Sequence, residues 1–113
     1  MLRKNLYTNF SQIEVYIVDG KYVRENMEIG FTHGGNPEVY DFIPEREIWI
    51  DSDLSRDEII PTVLHEAIEY KLISNGINYD KAHDTANKIE LFYRKLGNYG
   101  MMKNKIREIC KEI

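Results

Sequence analysis

The residues best suited to chemistry lie in one run, Leu64-His65-Glu66-Ala67-Ile68-Glu69-Tyr70. At about 100° per residue of helix, His65 and Glu69 fall about 40° apart, one turn from each other. Pro61, Ile68 and Leu72 fall on the same side, so the pair sits within the apolar stripe of its own helix. An ionised carboxylate buried without a partner costs several kcal/mol, so Glu69 needs a cation, a proton or a hydrogen-bond network. A surface His–Glu pair at i,i+4 is the ordinary alternative and contributes only about 0.3–0.5 kcal/mol. The stripe favours a ligand role. Glu66 points about 100° away from His65, to the edge of that stripe.

The following helix adds candidates. Measured from the turn at Asn75-Gly76, Glu69 lies about as far back as His83 lies forward, so the two reach similar heights if the helices pair antiparallel. Glu90 shares a face with His83 and Asn87 and comes level with His65. One helix pair can therefore present His65, Glu69, His83 and Glu90 to one another. Two imidazoles and a carboxylate form a known catalytic zinc set that leaves a fourth position for water. His65, Glu69 and His83 provide it, with Glu90 as a further candidate ligand. Glu66, flanking the first ligand, is placed to act as general base toward a water of lowered pKa. The cofactor expected is zinc, although another divalent ion would suit the same donors.

On these residues the chain resembles the zincin metallopeptidases, whose hallmark is His-Glu-x-x-His on a helix. Here the motif reads His65-Glu66-Ala67-Ile68-Glu69, with a glutamate where the second histidine belongs. The resemblance implies His65 as metal ligand and Glu66 as general base, and Glu69 as ligand where a carboxylate replaces the imidazole. In zincins whose third ligand is a glutamate, it comes from a later helix; Glu90 matches that place in kind, whereas His83 has no counterpart. The stretch from His65 through Tyr79-Asp80-Lys81-Ala82-His83 is also similar to small uncharacterised proteins of phage and archaeal genomes. The resemblance spans roughly residues 38–94.

Rival chemistries fit less well. His83-Asp84 suits an HD phosphohydrolase, but Asp84 is the last aspartate in the chain, so a required ligand is missing. A di-iron carboxylate site needs paired Glu-x-x-His motifs, and position 62 is Thr62. Cys110, the sole cysteine, has no histidine near it in sequence and cannot form an internal disulfide. His33, beside Gly34-Gly35, reads as a turn residue in a loop that could cover a metal site. Tyr70, Tyr79 and Tyr93 read as packing residues.

The elements that position these groups divide the chain in two. Residues 1–53 are strand-like and residues 55–113 helical, within one domain spanning 1–113. Ile13–Val18, Asp19-Gly20 and Lys21–Arg24 read as a hairpin, with Asp-Gly in the tight turn. Further strands are expected near Glu28–Thr32, Val39–Ile43 and Glu47–Asp51, giving an antiparallel sheet of four to five strands. Ser55-Arg56-Asp57-Glu58 matches a capping box, and Pro61 predicts a kink or restart in the helix that follows. That helix runs to about Ser74. A second spans about Asn78–Gly97 with Ala82, Ala86, Ile89, Tyr93 and Leu96 on its packed face, and a third carries Met102, Ile106, Ile109 and Ile113. The fold class is α+β, a small sheet followed by three helices.

Composition bounds the function. The 113 residues carry a net charge of −4, but residues 1–85 hold 8 Lys/Arg against 16 Asp/Glu, and residues 86–113 hold 7 against 3. An acidic body argues against nucleic acid as a partner. No apolar run is long enough to span a membrane and no signal peptide opens the chain, so a cytoplasmic location is expected. Two functions follow from the residues. One is a zinc-dependent, peptidase-like hydrolase acting on a peptide or protein. The other is a binding module without catalysis, in which the same residues form a structural metal site or a buried polar network and a protein partner docks, for instance on the basic last helix.

Overall fold

A computed structural model describes all 113 residues. In chain order it contains β1 (Lys4–Phe10), β2 (Ile13–Val18), α1 (Gly20–Asn26), β3 (Gly34–Gly35), β4 (Glu47–Asp51), α2 (Arg56–Ser74), α3 (Tyr79–Leu96) and α4 (Tyr99–Cys110). The α+β class stands: one four-stranded sheet, then three helices. The sheet is mixed rather than antiparallel. Its order is β1-β2-β4-β3, and β2 runs parallel to β4 while the two outer pairs are antiparallel.

Asp19-Gly20 causes this difference. The dipeptide is no hairpin turn; the Asp19 carboxylate accepts from the backbone N–H of Lys21 and Tyr22 and caps α1. Residues 21–24 are therefore helical, and α1 begins the long crossover that a parallel β2–β4 pair requires. Gly20 is needed for close approach, since a Cβ there would lie 2.2 Å from the Asp51 carboxylate. The true hairpin joins β1 to β2 through Ser11-Gln12, with Ser11 at φ 58°. Nothing in the sequence marks that turn, and β1 is too polar and exposed to stand out.

Two expected strands are absent. Thr32 makes only an isolated bridge to Gly34, and residues 39–43 form turns held by the Asn36 carbonyl. Their side chains are nonetheless used: Phe31, Ile43, Tyr40 and Phe42 pack around Trp49 on one face of the sheet. On the other face Ile48 and Ile50 alternate with Trp49, as a pleated strand requires, and meet α2 and α4.

Helix α2 is the centre of the molecule. Eleven consecutive residues, Ile60–Tyr70, are buried against the sheet, α3 and α4. It therefore has no single apolar stripe. His65, Glu66 and Glu69 are buried polar groups in this helix. Its start departs from the capping box: Ser55 is the N-cap but makes no side-chain cap bond, and Glu58 pairs with Arg94 instead. Pro61 lies within a continuous helix. The Asp57 carbonyl, which a proline four residues on cannot satisfy, accepts the Tyr99 hydroxyl at 3.1 Å. The Gly76 stop, at φ 93°, and the antiparallel return of α3 behind the Asn78 cap agree with expectation. On α3, Ala82 and Ala86 are buried, whereas Leu96 is exposed. Met102, Ile106 and Ile109 of α4 close the core below α2.

Candidate metal centre

The α2–α3 hairpin brings the four ligand candidates together at one cleft. Glu69 Oε2 lies 3.2 Å from His65 Nε2 and 2.7 Å from His83 Nδ1, bridging the two imidazoles. The rings meet edge to face with centroids 5.0 Å apart. One donor atom from each of His65, Glu69 and His83 lies within 4.8 Å of the others, a spacing that one cation could span. The small side chains Ala82 and Ala86 let α3 approach α2 closely enough for this.

Glu90 also reaches the cluster, but from behind. Its Oε1 lies 2.9 Å from His65 Nδ1, and its Oε2 accepts from Arg94 Nε at 2.7 Å. It thus addresses the ring nitrogen that faces away from Glu69 and stands outside the three-donor group. A carboxylate on the far nitrogen of a ligating histidine fixes the tautomer and the ring orientation. Glu90 has that geometry.

Glu66 is buried, and its Oε1 accepts from Asn36 Nδ2 at 2.9 Å. The same amide lies 3.4 Å from Glu69 Oε1. Asn36 is fully buried, and its Oδ1 accepts the Glu38 N–H, which fixes the amide so that its NH2 faces both carboxylates. In sequence Asn36 stands in the turn-forming run Gly34-Gly35-Asn36-Pro37. The hydrophilic Gly-Gly-Asn-Pro run gives no sign that one of its side chains enters the core.

The electrostatics are strongly coupled. Burial, reinforced by the neighbouring Glu69 charge, raises the Glu66 carboxyl to about 7. Burial disfavours the charged form of His65, but its bonds to Glu69 and Glu90 win and raise it to about 10. Glu69 and Glu90 are buried too, yet His65 and His83 hold Glu69, and His65 and Arg94 hold Glu90, below the usual carboxylate range. His65 as an imidazolium therefore donates to Glu69 and Glu90 at once, with Arg94 as the second cation on Glu90, and every buried polar side-chain atom has a partner.

The cleft holds about 450 Å3, and its lining is mostly polar. Tyr40 and Tyr79 stand at the Glu66–Glu69 end, and the Tyr79 ring stacks on His83 at 5.3 Å. Glu58, Arg94 and Leu54 line the other end. His33 lines the cleft from β3's side with φ 63°, in a three-residue turn where the Thr32 carbonyl accepts the Gly34 N–H at 2.6 Å. A non-glycine residue in that conformation stores about 1–3 kcal/mol of backbone strain. Comparison with protein-family models, with curated proteins and with solved structures gives no match.

Proposed function

We propose that this protein is a metal-dependent hydrolase of the zincin-like, peptidase type, with His65, Glu69 and His83 as ligands and Glu66 as general base. The observation that carries this reading is the three-donor group on one helix hairpin with a separately tethered carboxyl beside it. The donor set suits zinc, which when bound supplies a Lewis acid that polarises a carbonyl and acidifies water. Asn36 occupies Glu66 Oε1, leaving Oε2 to take a proton from attacking water and return it to the departing amine.

The lining favours an uncharged amide over a phosphate ester. Glu58, Glu66, Glu69 and Glu90 face the cleft, no lysine does, and Arg94 is already committed to two carboxylates. A transferring phosphoryl group needs cationic clamps that this surface does not supply. Elemental analysis of untagged protein tests the metal: wild type is expected to hold about one equivalent, and His65→Ala far less. Equal, negligible zinc in both removes the proposal. Glu66→Gln is then expected to keep the metal and lose peptide hydrolysis.

The second reading, a binding module without catalysis, also has a specific support. With His65 as imidazolium, no fully buried polar side-chain atom of the cluster lacks a partner. A buried polar network of this kind needs no ion, and function then rests on a protein partner. The elemental analysis separates this ion-free network from the metal centre, and hydrolysis by wild type against Glu66→Gln separates a structural metal site from a catalytic one.

A further inference from the structure

The three-donor set is open only while the remaining carboxylates of the cluster stay off the ion. A tetrahedral site closed by four protein ligands is structural; one with three keeps a position for substrate. Two further carboxylates stand within reach of the donors, and each has its own tether. Glu66 is held by the buried amide of Asn36. Glu90 is held by Arg94, and the geometry of that second tether is unusually complete.

Arg94 sits one turn after Glu90 on α3 and donates from Nε to Glu90 Oε2 at 2.7 Å. Its other two nitrogens grip Glu58 of α2 at 3.0 and 2.9 Å, a fork-on-fork pair. The guanidinium is thus fixed between two helices and is no freely moving surface side chain. Both oxygens of Glu90 are consumed, Oε2 by Arg94 and Oε1 by His65 Nδ1. Glu90 can then orient His65 but cannot turn toward Nε2, where Glu69 and His83 converge. An ordinary i,i+4 ion pair explains neither the reach to Glu58, 36 residues earlier, nor the shared use of Glu90 by a buried imidazole.

We propose that Arg94 is a positioning residue that keeps Glu90 on the back of His65, so that the metal centre retains three protein ligands and an open coordination position. This rests on the metal-binding reading above. Freed from Arg94, Glu90 would be drawn to the ion and close the site. The residue therefore decides between a centre that admits substrate and one that is merely structural.

Cobalt(II) loaded into the full chain reports coordination number through its visible absorption, and acetohydroxamate reports the open position by shifting that spectrum. In wild type, hydroxamate is expected to shift the spectrum. In Arg94→Met, cobalt is retained with an altered spectrum, and hydroxamate binds at least about tenfold more weakly, a size typical of supporting residues at metal sites. Arg94→Met/Glu90→Gln is expected to regain the wild-type response, because no carboxylate remains to close the site. Glu58→Gln, which loosens the guanidinium from α2 and leaves Glu90 and the three donors intact, should weaken hydroxamate binding in the same direction; it keeps the test decisive if Arg94→Met does not fold, and an unchanged response there overturns the proposal. An unaltered spectrum in folded Arg94→Met, or a changed coordination number in Glu90→Gln, overturns the proposal. Failure of wild type to bind cobalt at all overturns it together with the metal-binding reading, and is recognised by the absence of any visible absorption.

Discussion

Replacing Asn36 with alanine tests the buried carboxylates most directly. The substitution removes the donor to Glu66 Oε1 at 2.9 Å and the weaker approach to Glu69 Oε1. A hydrogen bond to a buried charged group contributes about 1.5–3 kcal/mol, and a neutral one nearer 1 kcal/mol. Which value applies depends on whether Glu66 is ionised. Its carboxyl titrates near 7 when folded, raised by burial and by Glu69, and the Asn36 bond works against that rise. Without Asn36 the value moves higher still. At pH 5 Glu66 is protonated in both proteins, so the variant should lose about 1 kcal/mol. At pH 8 the ionised Glu66 of the wild type is stabilised by its bond from Asn36, whereas the variant has no such bond, and the loss should grow to about 2–3 kcal/mol. For a chain of this size 1 kcal/mol corresponds to about 4 °C, so the deficit in Tm should widen from about 4 to about 10 °C. Thermal melts followed by circular dichroism, with chelator present throughout, measure both. A deficit that is the same at the two pH values, or that narrows as pH rises, would falsify the assignment of Asn36 as the partner of an ionising Glu66.

The metal-free protein should be most stable in mild acid. A folded pKa raised above the unfolded value gives stability that is lost as pH rises, and this holds for Glu66 between about 4.5 and 7 and for His65 between about 6.5 and 10. Glu69 and Glu90, held low, lose their contribution as pH falls below the usual carboxylate range; urea midpoints from pH 4 to 10 should show the optimum near about pH 5, and a maximum above pH 8 would contradict it. Tyr99→Phe should cost about 0.5–1 kcal/mol by stranding the Asp57 carbonyl, and much less in a Pro61→Ala background, where an N–H is restored. Additive losses in that double-mutant cycle would show that Tyr99 does not compensate for Pro61. Gly20→Ala should destabilise by about 2–3 kcal/mol or more, because its Cβ would fall 2.2 Å from the Asp51 carboxylate and break the pair with Arg24. A melt within about 0.5 kcal/mol of wild type would place Gly20 outside any tight contact.

The local features of the helical half were readable because they depend on short-range rules. The Asn75-Gly76 stop and the antiparallel return of α3 bring His83 level with Glu69 and Glu90 level with His65, and rise per residue alone predicts both heights. The β half was less readable. Asp19-Gly20 is chemically able to form a hairpin turn or to cap a helix, and local preference does not choose between them. The choice is made by β4, more than twenty-five residues later, whose Asp51 packs on Gly20.

By itself, the sequence determined an α+β domain and a convergence of His65, Glu69, His83 and Glu90, since fixed helical geometry places side chains from a short stretch of chain. Only the tertiary structure decided what each group faces. It buries Glu66 and brings Asn36 to it across 30 residues. It also turns Glu90 to the back of His65 and uses Glu58, expected at a helix cap, to anchor Arg94. Hydrogen-bond partners between distant segments depend on packing, and packing is not written in any local run of residues.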